Sequence, residues 1–346
     1  MQSFAIATIV SSAAAAISAD KLDFANYAAR FNKFYESTEE FMARFERFVH
    51  HHRLINEHNA TEANFTLGHN QFSDWTDAEY EAILGYRHSS VKSYQTNVEV
   101  FDESNTADSV NWVDKGGVTP VKDQGRCGSC WAFATIGAME SAHFAKTGEL
   151  LTLSEQQLID CDIHDNDGYQ NKGCHGGDMY RGFEYFKSYS PSLESVYPYT
   201  SGVTGDDSTS CLYSASDSTD IKVQDIGYMP VGGAEVYKLK AYVQTRPVSV
   251  AVSANNKYIH SYESGVIDAQ DCTETVMYDD EMLNTINHGV LIVGYGNDEA
   301  TGLDYWLIKN SWNTTWGDKG YAKIKMVDDF TPNIGICGVQ AYTSFP

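Results

Sequence analysis

The sequence predicts an α+β fold in which a helical lobe and a β-rich lobe face each other across a cleft. Residues 130 to about 190 carry three helix patterns, whereas residues from about 221 onward read mostly as strands. All seven cysteines follow residue 107, while residues 20–106 hold none. Because helices and strands are segregated along the chain, two packed lobes preceded by a separate helical region are expected.

The N-terminus resembles an export signal. Residues 2–19 are small, apolar and uncharged, which predicts a signal peptide over residues 1–19; a short apolar helix is the alternative. Three sequons, at Asn59, Asn64 and Asn313, predict glycosylation and agree with passage through the secretory pathway.

The front segment, defined as residues 20–106, reads as helices followed by a linker. One apolar stripe with three- and four-residue steps consists of Phe41, Phe45, Phe48 and Ile55. Thr76 and Glu79 have the spacing of a capping box that opens a further helix. From about residue 87 to 108 the pattern fades into an extended linker, which is exposed to cleavage.

The body, residues 107–346, contains the remaining elements. Its predicted helices span residues 130–146, the stretch capped by Ser154, residues 178–189 and residues 234–245. Its main predicted strands span residues 248–253, 289–295, 305–309 and 321–326.

Composition excludes several function classes. The net charge of −23 disfavours nucleic-acid binding, and no apolar run is long enough to span a bilayer. His50, His51 and His52 point in three directions around a helix and cannot share one metal ion. We interpret these histidines as solvated helix surface with mild pH sensitivity, and we expect neither a metal nor a cofactor.

Cys130 is the candidate nucleophile. A turn-like stretch with two glycines and a serine, residues 124–129, passes into a helical pattern at this cysteine. The N-terminus of a helix favours a thiolate and lowers the pKa of a cysteine placed there. Seven cysteines leave one unpaired in an exported chain, and we expect that one to be Cys130.

His288 and Asn310 are the candidate partners of this thiol. His288 stands at the start of a predicted strand, where a structural hydrogen-bonding role is the simplest alternative. Asn310 ends a neighbouring strand, so its amide can hold an imidazole in one orientation. Trp312, two residues further on, can shield that hydrogen bond from water or serve simply as a core aromatic.

The motifs resemble those of the papain family of cysteine proteases. The resemblance rests on residues 124–132 around Cys130, on Asn287-His288-Gly289 and on Asn310-Ser311-Trp312. The front segment is similar to a cathepsin L-like inhibitory pro-peptide, whose first motif matches Glu40, Arg44, Phe48, Ile55 and Asn59. His51 stands where that motif usually has Asn. A second motif matches Gly68, Asn70, Phe72 and Asp74.

The resemblance implies a papain-like two-lobed fold with a helical left domain and a β-barrel-like right domain, made as a zymogen. Cys130 then corresponds to the nucleophile, His288 to its imidazolium partner, Asn310 to the orienting residue and Gln124 to an oxyanion-hole donor. The implied disulfides are Cys127–Cys174, Cys161–Cys211 and Cys272–Cys337. The pro-peptide would run backwards through the cleft and be removed to leave an enzyme that starts near Ala107.

The resemblance also implies a substrate cleft whose P2 pocket is the main specificity determinant. Gly176 and Gly177 would pair with an extended peptide, and Trp312 and Trp316 would lie beside the cleft. The implied pocket is lined by Asp178, Met179, Ala251, Ile286, Gly289 and Tyr342. We expect Tyr342 to shorten the pocket floor and Asp178 to add charge at its rim.

The implied partners are protein and peptide substrates, the chain's own pro-peptide and cystatin-like inhibitors. The enzyme is expected to be a monomer. The implied location is the secretory pathway, ending in a lysosome or vacuole or outside the cell. Acid is expected to drive conversion, since carboxylates such as Asp74 would lose their ion pairs. The alternatives are a papain-like binding or storage protein without catalysis and an inhibitor of other proteases.

Overall fold

The computed structural model describes residues 19–88, 106–163, 171–206, 210–229, 235–274, 285–328 and 334–346. Residues 1–18 of the predicted signal peptide and most of the predicted linker lie outside these residues. Within the described ranges, no helix is both long and apolar enough to cross a membrane.

In its described part, the front segment contains the helices α1 (Ala19–Arg30), α2 (Thr38–Asn59) and α3 (Asp77–Ala82). The body contains α4 (Cys130–Thr147), α5 (Glu155–Cys161), α6 (Met179–Ser188), α7 (Ser201–Thr204), α8 (Val236–Thr245), α9 (Lys257–Ser261) and α10 (Asp271–Glu274). The helices predicted at residues 130–146, after Ser154, at 178–189 and at 234–245 are confirmed as α4, α5, α6 and α8. The capping box of α3 is also confirmed, because the side chains of Thr76 and Glu79 satisfy each other's backbone N–H groups.

The strands are β1 (Phe65–Leu67), β2 (Val110–Asn111), β3 (Gly227–Met229), β4 (Val248–Val252), β5 (Tyr262–Ile267), β6 (His288–Asp298), β7 (Leu303–Lys309), β8 (Tyr321–Lys325) and β9 (Thr343–Phe345). They form one sheet in the order β1-β5-β8-β7-β6-β4-β9-β3, with β2 beside β6. The α+β class predicted from the sequence is thereby confirmed.

The prediction that the front segment consists of helices before its linker was wrong at β1. This strand pairs antiparallel with β5 of the body, with Phe65 opposite Gly265 and Thr66 opposite Ser264. Phe65 and Leu67 are buried while Thr66 is exposed, which is the alternation of a half-buried strand. Three residues give too short a pattern to recognise from the sequence alone.

The apolar side chains form three clusters. One fills the β-rich lobe around Trp306 and Ile308, and the second packs α4 and α6 of the helical lobe against β6. The third is a small cluster inside the front segment, where Phe24, Tyr27 and Phe48 are buried. The front segment therefore has a core of its own in addition to its contacts with the body.

Polar contacts tie the helices of the front segment together. The carboxylate of Asp74 accepts hydrogen bonds from Tyr27 at 2.7 Å and Tyr35 at 3.0 Å, and it pairs with Lys33 at 2.8 Å. Arg44 makes a two-pronged ion pair with Glu79. The Arg44 guanidinium lowers the pKa of Glu79 to about 2, so this pair persists far into the acidic range.

The interpretation of His50–His52 as solvated surface was wrong for two of the three residues. His50 is exposed, but His51 and His52 are half-buried. His51 lies against His260 of the body, and His52 bonds His69 in the segment that follows β1. The packing of α2 against these later segments covers both rings, and helix periodicity within α2 could not reveal that packing.

Three disulfide bonds cross-link the body: Cys127–Cys174, Cys161–Cys211 and Cys272–Cys337. They are the same three pairs that the family resemblance implies. Cys130 is the free cysteine among the described residues, and it is buried.

Phe24→Ala should destabilise the front segment by about 3–5 kcal/mol, because it removes a fully buried ring from a small aromatic cluster. Phe24 contacts five other aromatic rings, namely Tyr27, Tyr35, Phe41, Phe45 and Phe48. Urea unfolding of a Cys130→Ser chain measures the loss without interference from proteolysis.

Phe34→Ala is the matched control, since Phe34 is 84% exposed in the same segment. Its unfolding free energy should stay within about 0.5 kcal/mol of the parent. Equal losses in the two variants would contradict the assignment of a separate core to the front segment.

Candidate active site

Cys130 is the first residue of the long buried helix α4. Ser129 precedes it without a side-chain cap, so the first N–H groups of the helix remain available at the site. Gly125 has a φ of +60°, and an added Cβ there would lie 2.2 Å from the Gly202 carbonyl oxygen. This close approach explains why the turn before Cys130 needs glycine.

In the intact chain the expectation of a lowered cysteine pKa was wrong. Complete burial raises the pKa of the Cys130 thiol, although the backbone N–H groups of Gly289, Gly85 and Trp131 and the charge of Arg87 act in the opposite direction. Desolvation outweighs these contacts because the front segment excludes water from the sulfur. The thiol is therefore neutral while the front segment is bound.

His288 and Asn310 come together as the sequence predicts. His288 begins β6 and Asn310 follows β7, and these adjacent strands bring Nε2 within 2.7 Å of Asn310 Oδ1. Asn310 Oδ1 also accepts the Ser311 N–H at 2.8 Å, which identifies this atom as the amide oxygen. His288 Nε2 must then carry a proton, and Nδ1 is left with a lone pair.

The imidazole is neutral in this state. Burial lowers the pKa of His288 to about 4, and the Asn310 hydrogen bond only partly offsets this effect. Trp312 stacks on the ring at 4.3 Å between centroids, and Phe72 of the front segment packs on Trp312 in turn. Nδ1 has no hydrogen-bond partner among the described residues.

Gln124 is held beside Cys130 by both lobes. Its side-chain oxygen accepts a hydrogen bond from Ser311 Oγ at 2.7 Å, and its backbone N–H donates to the Ser311 carbonyl at 2.9 Å. The Nε2 atom donates to the carbonyl oxygens of Ile83 and Cys127, both at 2.8 Å. Since Ile83 belongs to the front segment, this amide already binds a peptide carbonyl.

The chain after α3 lies along the cleft as an extended strand. Gly177 N–H donates to the Gly85 carbonyl and Arg87 N–H donates to the Gly177 carbonyl, both at 2.9 Å. Tyr86 N–H bonds the Asn287 carbonyl on the opposite lobe at 2.9 Å. The bridge between Tyr86 and Gly177 is parallel.

Tyr86 packs beside residues that are predicted to line the P2 pocket. This side chain is 2% exposed and belongs to the same apolar cluster as Met179, Ala251, Ile286 and Tyr342. Its ring lies 5.9 Å from that of Tyr342, and Gly289 adjoins the pocket through Met179.

Asp178 lies at this pocket and also caps α6, because its Oδ1 accepts the Tyr180 N–H at 3.0 Å. Its Oδ2 lies 3.8 Å from Nδ1 of His88, whose ring stacks on Tyr342 at 4.3 Å. The carboxylate of Asp178 therefore caps α6 and also contacts the front segment through His88.

The remaining predicted residues are placed as follows. Gly176 has a φ of +109°, and an added Cβ there would come within 2.6 Å of the Gly85 carbonyl oxygen. Trp316 is fully buried and donates its indole N–H to the Ile259 carbonyl, so its contact with substrate stays a prediction. The exposed sequon residues Asn59, Asn64 and Asn313 stay predictions as glycosylation sites.

Sequence reasoning missed the residues of the front segment that touch the site. Ile83, Gly85, Tyr86 and His88 lie beyond both recognised motifs and just after the capping-box helix. The dipeptide of Gly85 and Tyr86 was the available signal, because a glycine beside a large aromatic residue permits close backbone approach next to a pocket.

Comparisons with known proteins agree with this geometry. The sequence profile described as papain family cysteine protease matches residues 106–346, and the cathepsin propeptide inhibitor domain matches residues 24–80. The chain is 35% identical to cathepsin L of Sarcophaga peregrina, with 94% of this chain and 92% of that protein covered. It is 38% identical to the thiol protease aleurain of Arabidopsis thaliana, with 94% and 84% covered. The structure matches digestive procathepsin L 3 of Tenebrio molitor larval midgut with a TM-score of 0.77 and 33% identity, covering 95% of this chain and 99% of that chain.

Gly85→Ala should uncover Cys130, because the added Cβ would lie 1.7 Å from the Gly128 carbonyl oxygen. Displacing this backbone breaks the Gly177–Gly85 hydrogen bond and the contact of the Gly85 N–H with the sulfur. Two such losses of ~1 kcal/mol each predict a roughly 30-fold faster reaction of Cys130 with a thiol-alkylating epoxide at neutral pH.

Gly68→Ala is the control, since the nearest atoms there are in the flexible carboxylate of exposed Glu263. Its labelling rate should match that of the parent. Slow labelling of Gly85→Ala would contradict the role of this glycine in covering the thiol.

Proposed function

The chain belongs to the papain family of cysteine proteases, and on that premise we propose that Cys130, His288, Asn310 and Gln124 carry out endopeptidase catalysis. The observation that carries the proposal is the peptide strand lying in the cleft. Its Ile83 carbonyl accepts from Gln124, and its Gly85 N–H contacts the sulfur of the free cysteine.

The proposed chemistry begins with proton transfer from Cys130 to Nδ1 of His288, which holds the free lone pair of the neutral ring. The thiolate then attacks the substrate carbonyl carbon and forms a carbon–sulfur bond, while the carbonyl oxygen becomes an oxyanion. Gln124 Nε2 and the backbone N–H of Cys130 donate to that oxyanion. The imidazolium protonates the departing amine, and water then hydrolyses the thioester with His288 as the base.

Asn310 keeps the imidazole in the tautomer that this mechanism requires. Because its oxygen accepts from Nε2, the reactive lone pair resides on Nδ1. Trp312 stacked on the ring keeps water away from this hydrogen bond.

The intact chain is a zymogen, and its front segment acts as an intramolecular inhibitor. The backbone N–H of Gly85 lies against the sulfur, so the covering strand blocks the approach of a substrate to Cys130. The same cover keeps Cys130 and His288 neutral. We propose that removal of residues 20–106 admits water and permits the thiolate–imidazolium pair.

We propose that acid drives this conversion. Secretion into an acidic compartment such as a lysosome or vacuole, or export from the cell, agrees with the signal-like N-terminus and the three disulfides. The mature enzyme is proposed to be a monomer that cleaves proteins and peptides and that cystatin-like inhibitors recognise.

Cys130→Ser should abolish both peptide hydrolysis and self-conversion when the purified zymogen is moved from neutral to acidic pH. Gel electrophoresis and N-terminal sequencing would follow the conversion, with a new terminus expected near Ala107. Added wild-type enzyme should convert the variant, which serves as the control for an accessible linker. Unchanged processing of Cys130→Ser alone would refute self-conversion.

For substrate choice, we propose that Asp178 favours a basic side chain at P2. His88 already brings an imidazole to 3.8 Å from the Asp178 carboxylate within the pocket that Tyr86 fills. Tyr342 is proposed to shorten the pocket floor, leaving space for one aromatic ring like that of Tyr86.

Asp178→Asn should lower the kcat/KM ratio of Arg over Leu at P2 by about tenfold, or ~1.4 kcal/mol, which is the scale of one charge-assisted hydrogen bond. Asn is an equally good N-cap, so α6 should remain intact and the change isolates the charge. Tyr342→Phe is the control, because it removes a hydroxyl that has no partner among the described residues and leaves the carboxylate in place. An unchanged Arg-to-Leu ratio in Asp178→Asn would refute the charge effect.

A further inference from the structure

Four histidines form two ring stacks where α2 meets the body. His51 of the front segment lies parallel to His260 of the body, with centroids 4.4 Å apart and planes at 5°. His52 lies parallel to His69 at 5.3 Å and 7°, with a 3.0 Å contact between His52 Nδ1 and His69 Nε2. Neither pair takes part in the proposed chemistry.

The first pair spans the boundary between the front segment and the body. His260 belongs to α9 and is 6% exposed, and Phe72 and Tyr80 of the front segment pack on its ring. Its backbone carbonyl accepts a hydrogen bond from Asn70 Nδ2 at 2.6 Å. Lifting the front segment would therefore expose both imidazoles of the His51–His260 pair to water.

The surroundings of the stacks oppose protonation. Burial and the neighbouring His50 and Arg47 outweigh Asp77 and Asp74 and lower the pKa of His51 to about 4. Burial, followed by His51 and His69, places the pKa of His260 well below its usual range. Burial with His52, His51 and Arg30 lowers the pKa of His69 to about 4.

We propose that the His51–His260 pair is an acid-sensitive latch, which holds the front segment on the body while both rings are neutral and releases it when they take up protons. Two parallel imidazolium rings at this separation repel each other, and no carboxylate of the body faces His260 among the residues that the structure describes. The inference rests on the proposed acid conversion and assigns it to two named side chains.

The direction of the pH dependence follows from proton linkage. A buried histidine whose pKa lies below 6.5 binds its proton more readily after release, so release is favoured as pH falls from about 6.5 to about 4. The contribution of the neutral histidines to docking of the front segment is thus fully present above this pH window. The Arg44–Glu79 pair cannot supply the effect, since the carboxylate keeps its charge down to about pH 2.

Each histidine that takes up one proton on release should change the opening equilibrium about tenfold per pH unit inside the window. The two histidines of the pair contribute about a hundredfold per unit, and His288, which the same opening uncovers, adds its own contribution to the parent and the variant alike. His51→Phe retains a stacked ring but cannot be protonated, so it should weaken the dependence about tenfold per pH unit relative to the parent.

The test is hydrogen exchange of the Cys130→Ser zymogen between pH 7 and pH 4, with rates corrected for intrinsic exchange. That background cannot cleave itself, so opening is measured separately from processing. The reporting amides are Gly68, which bonds Ser261 O at 2.7 Å, and Val266, which bonds Asn64 O at 2.9 Å, because both bonds join the front segment to the body. Trp112, which bonds Val293 O within the body, reports any general loosening.

His143→Asn is the control, since it removes one half-buried imidazole from α4 and should keep the pH dependence of the parent. Protection of Gly68 at pH 7 checks that each variant is folded, and His51→Asn replaces His51→Phe if the larger ring fails this check. An identical pH dependence in His51→Phe and the parent would overturn the latch while leaving acid conversion intact. Full protection of the parent down to pH 4 would overturn both.

Discussion

Exclusion of water from the sulfur atom of Cys130 is the constraint that keeps the intact chain latent. The backbone at Gly85 covers Cys130, and that burial raises the pKa of the thiol while lowering the pKa of His288. Both groups are consequently neutral, although the N-terminus of α4 and the amide of Asn310 are arranged for their charged forms. Latency in this enzyme is therefore an electrostatic state as well as a steric one.

The cover is effective because it imitates a substrate in some contacts and departs from it in others. Ile83 presents a carbonyl to Gln124, and the ring of Tyr86 packs 5.9 Å from that of Tyr342. The parallel bridge at Gly177, however, accompanies an N–H group directed at the sulfur. The front segment thus gains hydrogen bonds from the cleft while its backbone covers Cys130.

Much of this arrangement could be read from the sequence. Helix periodicity gave α4, α6 and α8, and a capping box gave the start of α3. Short motifs predicted Cys130, His288, Asn310 and Gln124 as candidate site residues. These features are local, or they belong to a family with specific motifs. The disulfide pairing came only through that family resemblance, because six cysteines permit 15 pairings.

What escaped prediction depends on contacts between distant parts of the chain. β1 exists because β5 supplies its hydrogen-bond partners, and His51 is half-buried because α9 brings His260 against it. The raised pKa of Cys130 likewise depends on a segment 45 residues earlier in the sequence. Local patterns contain no information about such pairings.

The pairing of β1 with β5 has a consequence for the matured enzyme. Once the front segment leaves, β5 becomes an edge strand, and groups such as the Val266 N–H lose their main-chain partners. Exposed edges invite pairing with another chain, and charged side chains discourage it. Glu263 and Ser264 are the exposed residues of β5. The strand that pairs with the front segment in the zymogen therefore already has polar side chains, including one charge, that disfavour self-association of the matured enzyme.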